Sequence, residues 1–179
     1  RDSIAIALKY LGYSMNSRSM KELEEAKEAL IVQKPLVYAY LADEGRDVMS
    51  QGDASLSVMY SGDAAMMRQE NESLEYIIPK EGTNIWYDSF AVPKQSKNPK
   101  GAMAFINFMS RPDIAAQNAT HNVGFATPIP EAIALLPKAL REDPVAYQDF
   151  DRLPPLEVYR DLHDFVEVYD RIWTEVTAR

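Results

Sequence analysis

The sequence contains no cysteine, which excludes disulfides and thiolate chemistry from the chain. That fits the extracytoplasmic side of a bacterium without requiring it. Only two histidines occur, His121 and His163, far apart and in no metal-ligand motif. They read as solvated or helix-capping residues. Glycine is scarce, and Gly45, Gly52 and Gly62 do not form a phosphate-cradling pattern. Ser57 and Ser61 lie outside any nucleophile elbow. No base–nucleophile pair speaks for an enzyme, and no motif asks for a cofactor or a metal. No apolar run approaches a membrane span, no signal peptide is recognisable, and there is no internal repeat. Basic residues are the minority, 19 against 27 acidic, giving a net charge of −8. That balance argues against nucleic acid and suits a cationic partner. The first residue is Arg1 rather than Met, so the chain reads as an excised piece.

What is present is a globular composition, 46% hydrophobic over 179 residues, enough for one large domain or two modest ones. A first helix is expected from Asp2 to Leu11, with Ile4, Ala7, Leu8 and Leu11 on one stripe and Gly12 as its stop. Ser19 with Glu22 is a capping-box pair for a second helix, ended by Pro35. Strands are expected at 36–41, at 56–60 and at 74–78, with short helices at 43–50 and 63–70 between them. Asn98-Pro99 opens a helix whose core face is Met103, Ile106 and Met109, and Arg111-Pro112-Asp113 opens another to about Asn118. Thr127-Pro128-Ile129-Pro130 is rigid and extended. Residues 136–156 are interrupted by proline and read as surface-lying. A last helix is expected over 157–177, its stripe formed by Leu162, Phe165, Val166, Tyr169, Ile172, Trp173 and Val176. Alternating helices and strands predict an α/β fold.

The stretch from Gly82 to Pro93 alternates like a strand, with Ile85 and Tyr87, then Phe90 and Val92. On a strand Trp86 and Asp88 share a face. An indole beside a carboxylate suits an organic cation, because the ring face attracts the charge and the carboxylate neutralises it. A core tryptophan with an aspartate turning the chain is the other reading of the same residues.

The order of several short segments carries the argument further. Leu8-Lys9-Tyr10-Leu11-Gly12-Tyr13-Ser14 comes first, followed by Met59-Tyr60-Ser61-Gly62-Asp63-Ala64. Pro79-Lys80-Glu81-Gly82 and Trp86-Tyr87-Asp88-Ser89 come next. Ala104-Phe105-Ile106-Asn107-Phe108-Met109-Ser110-Arg111-Pro112 and Gly124-Phe125-Ala126-Thr127-Pro128 complete the series. Together they resemble the C-terminal half of the spermidine/putrescine-binding proteins of bacterial polyamine ABC transporters.

The resemblance implies an α/β fold of the type II periplasmic-binding-protein class, in which two lobes close on a ligand. Residues 1–79 would form the core of lobe two, and residues 80–132 the hinge strand and return segment of lobe one. Residues 133–179 would form a C-terminal helical segment on lobe two, with the N-terminal lobe of the same chain missing. Asp88 would bind an ammonium and Trp86 would wall the methylene chain. Tyr60 and Phe125 fall where the family places aromatics, and Phe125 offers a ring without a hydroxyl. Asp2 matches an acidic position, and Tyr159 a polar contact before the last helix, or Glu157 if the alignment slips. The implied partners are a linear polyamine such as spermidine or putrescine and an ABC permease. A second copy would pair through the exposed 80–132 segment, since an uncovered edge invites that. The implied location is the periplasm or the outer face of the cell membrane, there as a lipoprotein. A polyamine sensor signalling through a membrane partner, or a same-fold binder of another small solute such as a sugar, are the alternatives.

Overall fold

The computed structural model describes residues 1–122 and 125–178. In chain order these form α1 (Asp2–Tyr10), α2 (Met20–Gln33), α3 (Gly45–Gln51), α4 (Ser61–Glu70) and β1 (Thr83–Asn84). Next come α5 (Pro99–Met109), α6 (Pro112–His121), α7 (Pro130–Leu135), α8 (Lys138–Arg141), β2 (Leu156–Glu157) and α9 (Val166–Ala178). The chain divides into two units. One holds Arg1–Tyr40, Ile78–Tyr87 and the chain from Arg152 onward; the other holds Leu41–Ile77 and Asp88–Asp151.

The first unit is built on α1, α2 and α9. The 3.6-residue spacing of Ile4, Ala7 and Leu8 turns one face of α1 onto Leu23, Ala26 and Leu30 of α2. Tyr169, Ile172 and Val176 of α9 close the same core. Ile4, Leu8, Leu23, Ile172 and Val176 are essentially sealed from solvent. Each such side chain contributes about 1.5–3 kcal/mol by its burial. Gly12 follows the end of α1 with φ +82, the left-handed conformation that stops a helix at low cost in a residue without Cβ. Ser19 caps α2 by accepting from the Glu22 amide. The reciprocal half of the capping box is absent: the Glu22 carboxylate instead accepts from the Ser17 hydroxyl at 2.5 Å. Lys27, buried on α2, is held between Glu24 and Glu175, whose hydrogen bonds raise its pKa against the opposing effect of burial. Lys34 Nζ donates to the carbonyls of Val176 and Thr177, satisfying the last turn of α9.

β1 and β2 pair in parallel, Thr83 beside Leu156 and Asn84 beside Glu157. The backbone contact extends to Ile85, whose N–H donates to the Glu157 carbonyl at 2.9 Å. The last helix is therefore shorter than expected. Residues 156–157 are taken by the sheet, and His163, at φ +49, sits in a 3-10 turn over His163–Phe165 that precedes α9. Of the expected stripe, Leu162, Tyr169, Ile172 and Val176 are buried, whereas Trp173 is half-buried and meets Tyr40 edge-on at 4.9 Å.

In the second unit α3 and α4 share a small core of Met49, Ala64, Ala65, Met67 and Val145. A further core lies between α6 and α7, made by Ala115, Ala116, Ala119, Ala132 and Leu136. Asn98 caps α5 by accepting from the Gly101 amide at 2.9 Å, and Pro99 occupies the first helical position. Residues 136–156 are not merely surface-lying. Leu136 and Val145 are buried, and the Tyr147 hydroxyl accepts from the Thr127 amide at 3.3 Å.

Two further expectations are corrected. Residues 36–41, 56–60 and 74–78 form no strand among the described residues. Alternation prepares a segment for a sheet, but a strand exists only with a neighbour to take its backbone hydrogen bonds. Their two-faced pattern is still partly used: Met59, Leu74 and Tyr76 pack on the Met49 core, while Leu56, Val58 and Ile77 are largely exposed. The core face assigned to α5 does not form either. None of its residues is buried, and Met103, Phe105 and Phe108 are about half exposed, Phe105 meeting Phe90 edge-on at 5.8 Å. A helix apolar on so many sides needs covering layers that the described residues do not supply.

Candidate functional site

In the first unit the candidate residues gather around the β1–β2 pair. Gly82 enters β1 at φ +102, and a Cβ there would stand 2.2 Å from the Pro155 carbonyl oxygen. The absence of a side chain thus lets the two segments approach. Trp86 follows directly on the Ile85–Glu157 hydrogen bond, and Tyr159 lies two residues beyond Glu157. Trp86 is 40% exposed and belongs to no buried cluster among the described residues. Regular strand structure ends at Asn84, so residues 86–93 lack the strand on which a shared face for Trp86 and Asp88 was argued. The Tyr159 ring carries the Arg1 guanidinium 4.4 Å from its centroid. Asp2 is exposed in the first turn of α1.

Glu157, the fallback for Tyr159, is engaged inside the protein. Its Oε1 accepts from Lys9 Nζ at 2.8 Å, and its Oε2 from the Ser14 hydroxyl at 2.5 Å. The Met15 amide adds a longer bond at 3.3 Å. Burial pushes this carboxyl up, but the hydrogen bonds from Lys9, Ser14 and Met15 and the Lys9 charge together hold it below the usual glutamate range. Sequence reasoning offered Glu157 only as an alternative contact, because partners 141 to 148 residues away leave no local signature.

In the second unit Tyr60 stands at the N-terminal boundary of α4 and is half exposed. Met66, Gln69 and Glu70 of the same helix face Phe125, His121 and Asn122 across a cavity of about 360 Å³. Phe125 is half exposed there; Gly124, which precedes it in the expected motif, lies outside the described residues. Asp63, in the first turn of α4, pairs with Arg46 at 3.4 Å. Asp88 is exposed and falls in this unit, Trp86 in the other, because the division runs between Tyr87 and Asp88. His121 Nδ1 lies 2.8 Å from the Gln117 carbonyl at the end of α6, a helix-terminal role. Among the described residues no group of three or more His, Cys, Asp or Glu could hold a metal ion.

Comparison with known proteins gives these placements a context. The family model described as bacterial extracellular solute-binding protein matches residues 1–147. The spermidine/putrescine-binding periplasmic protein of Salmonella typhimurium strain LT2 is 34% identical over 99% of this chain and 51% of its own length. A solved structure assigned as a spermidine/putrescine ABC transporter from Listeria monocytogenes is 40% identical. It superposes with a TM-score of 0.89, covering 98% of this chain and 54% of that one. The spermidine/putrescine ABC transporter substrate-binding protein of Streptococcus pneumoniae is 37% identical, with a TM-score of 0.85 and coverage of 99% and 55%. This chain therefore spans about half the length of the relatives it matches. The shared fold is that of type II periplasmic binding proteins, α/β in class, here mostly helical with one small parallel sheet among the described residues. These relatives bind solutes and are not enzymes. On sequence and fold alike, the chain belongs to the bacterial extracellular solute-binding protein family.

Proposed function

We propose that this chain is the C-terminal portion of an extracytoplasmic binding protein that captures a linear polyamine, spermidine or putrescine, and delivers it to an ABC permease. The observation that carries the reading is likeness along virtually the whole chain, in sequence and in fold, to proteins named for spermidine and putrescine binding. Three features support it. The net charge is −8, which attracts a polycation. Trp86 is a solvent-accessible indole, the kind of ring that receives an ammonium or its methylenes. Tyr159 already holds a cationic group against its face. In this reading Asp88 neutralises one ammonium, Trp86 and Tyr60 flank the alkyl chain, and Phe125, Tyr159 and Asp2 complete the lining. The division into a lobe-two core at 1–79, a lobe-one return at 80–132 and a closing helical segment at 133–179 belongs to the same proposal, as does the periplasmic or extracellular location. Residues outside this stretch would complete the ligand site.

The test is calorimetry on the full-length protein with spermidine, putrescine and a neutral sugar at increasing salt. Polyamine binding should weaken as salt rises, because screening acts on charge–charge attraction. Equal or tighter binding of the sugar would refute the polyamine assignment.

A further inference from the structure

Glu157 is a half-buried carboxylate for which the proposed ligand lining has no use, yet four groups converge on it. Lys9 Nζ and the Met15 amide donate to one oxygen, the Ser14 hydroxyl and Asn16 Nδ2 to the other. Lys9 and Glu157 are only 13% and 23% exposed along their side chains, so solvent screens this ion pair weakly. All four donors come from α1 and the loop that follows it. On its other side the same residue is tied to β1, its carbonyl accepting from the Ile85 amide at 2.9 Å. Asn16 extends the clamp. Its Nδ2 donates to the Val158 carbonyl at 3.0 Å, and its Oδ1 accepts from the Arg160 amide at 2.8 Å. The two hydrogen bonds therefore bracket Tyr159, while the Ile85 bond immediately precedes Trp86.

We infer that Glu157 and Asn16 are positioning residues for the polyamine wall: they lock the 155–160 segment between the α1 loop and β1, and so set the relative placement of Trp86 and Tyr159. The inference rests on the reading that these two rings contact the ligand. Its physical basis is that binding groups must be held to a fraction of an ångström, and that the groups behind them supply the hold. A carboxylate suits the task because it accepts from several donors at once, and the charge-assisted bonds from Lys9 are the stronger kind. A purely apolar contact would fix distance but not direction.

The experiment measures spermidine affinity by calorimetry and the melting temperature on the full-length protein. The variants are Trp86→Ala, Glu157→Ala, Glu157→Gln, Asn16→Ala and, as a control, Glu175→Ala. The control breaks the Lys27 ion pair between α2 and α9, away from the clamp. Trp86→Ala should weaken binding by about tenfold or more, the scale of a lost cation contact in an enclosed site. Glu157→Ala should weaken binding by about tenfold, and Asn16→Ala by about threefold. Glu157→Gln, which keeps an acceptor for Lys9 and Met15, should recover most of the loss. Glu175→Ala should lower the melting temperature while leaving affinity within about twofold. If Glu157→Ala does not fold, the Asn16→Ala result decides. Glu157→Ala and Asn16→Ala proteins that bind like wild type beside a weakened Trp86→Ala would overturn the inference alone. So would a control whose affinity falls as far at the same loss of melting temperature. A silent Trp86→Ala would overturn the ligand reading and this inference with it.

Discussion

At the scale of single residues, the strongest constraint lies at Gly82. Its φ of +102 is one that L side chains rarely adopt, and a Cβ would stand 2.2 Å from the Pro155 oxygen. Gly82→Ala therefore meets strain and overlap together, and the atom it overlaps is backbone, the Pro155 oxygen, rather than the flexible end of a side chain such as Lys9. Thermal denaturation should show the variant destabilised by about 2 kcal/mol or more, against roughly 1 kcal/mol of change where glycine is replaced without a clash. A variant as stable as wild type would mean that Pro155 yields easily and that the approach of the two segments is loose. The sequence marked Gly82 as the opening of a strand, and that much was legible. Its close approach to residue 155 was not, because no local pattern reports a neighbour more than seventy positions away.

At the scale of elements, helices were the readable part. The spacing of Ile4, Ala7 and Leu8, the Ser19 cap and the Asn98-Pro99 start each act within one or two turns, and each stands in the structure. Strands were read less well because a strand is defined by its partner. Leu56, Val58 and Tyr60 alternate, yet the segment forms no ladder among the described residues. The β1–β2 pair instead depends on the Glu157 clamp, and that gives it a pH dependence. The Glu157 carboxyl is held below its ordinary value in the folded chain. A depressed carboxyl adds stability above its unfolded pKa, about 4.3 for glutamate, and that contribution is lost as pH falls through the lower folded value. Stability should thus decline on acidification below about pH 4 more steeply in wild type than in Glu157→Gln, which has no proton to take up. Denaturant titrations at a series of pH values would check this; parallel curves for the two proteins would show that Glu157 does not contribute.

At the scale of the whole molecule, the family was legible because six short segments keep one order along the chain, a signal that survives weak matches at each. The ligand wall was legible only as residue types. Trp86 and Asp88 were placed by a motif two residues apart, while the structure assigns them to different units, so their joint action is a claim about the complete protein. That claim is tested most directly by calorimetry of spermidine binding to the full-length protein and to its Asp88→Asn and Asp63→Asn variants. Asp63 is the fitting control, an acid of the same unit occupied by Arg46 at the start of α4. Asp88→Asn should raise the dissociation constant by about thirtyfold or more, the scale on which an enclosed charge pair loses one partner. Asp63→Asn should leave it within about threefold. An Asp88→Asn protein that binds spermidine as wild type does would contradict the account.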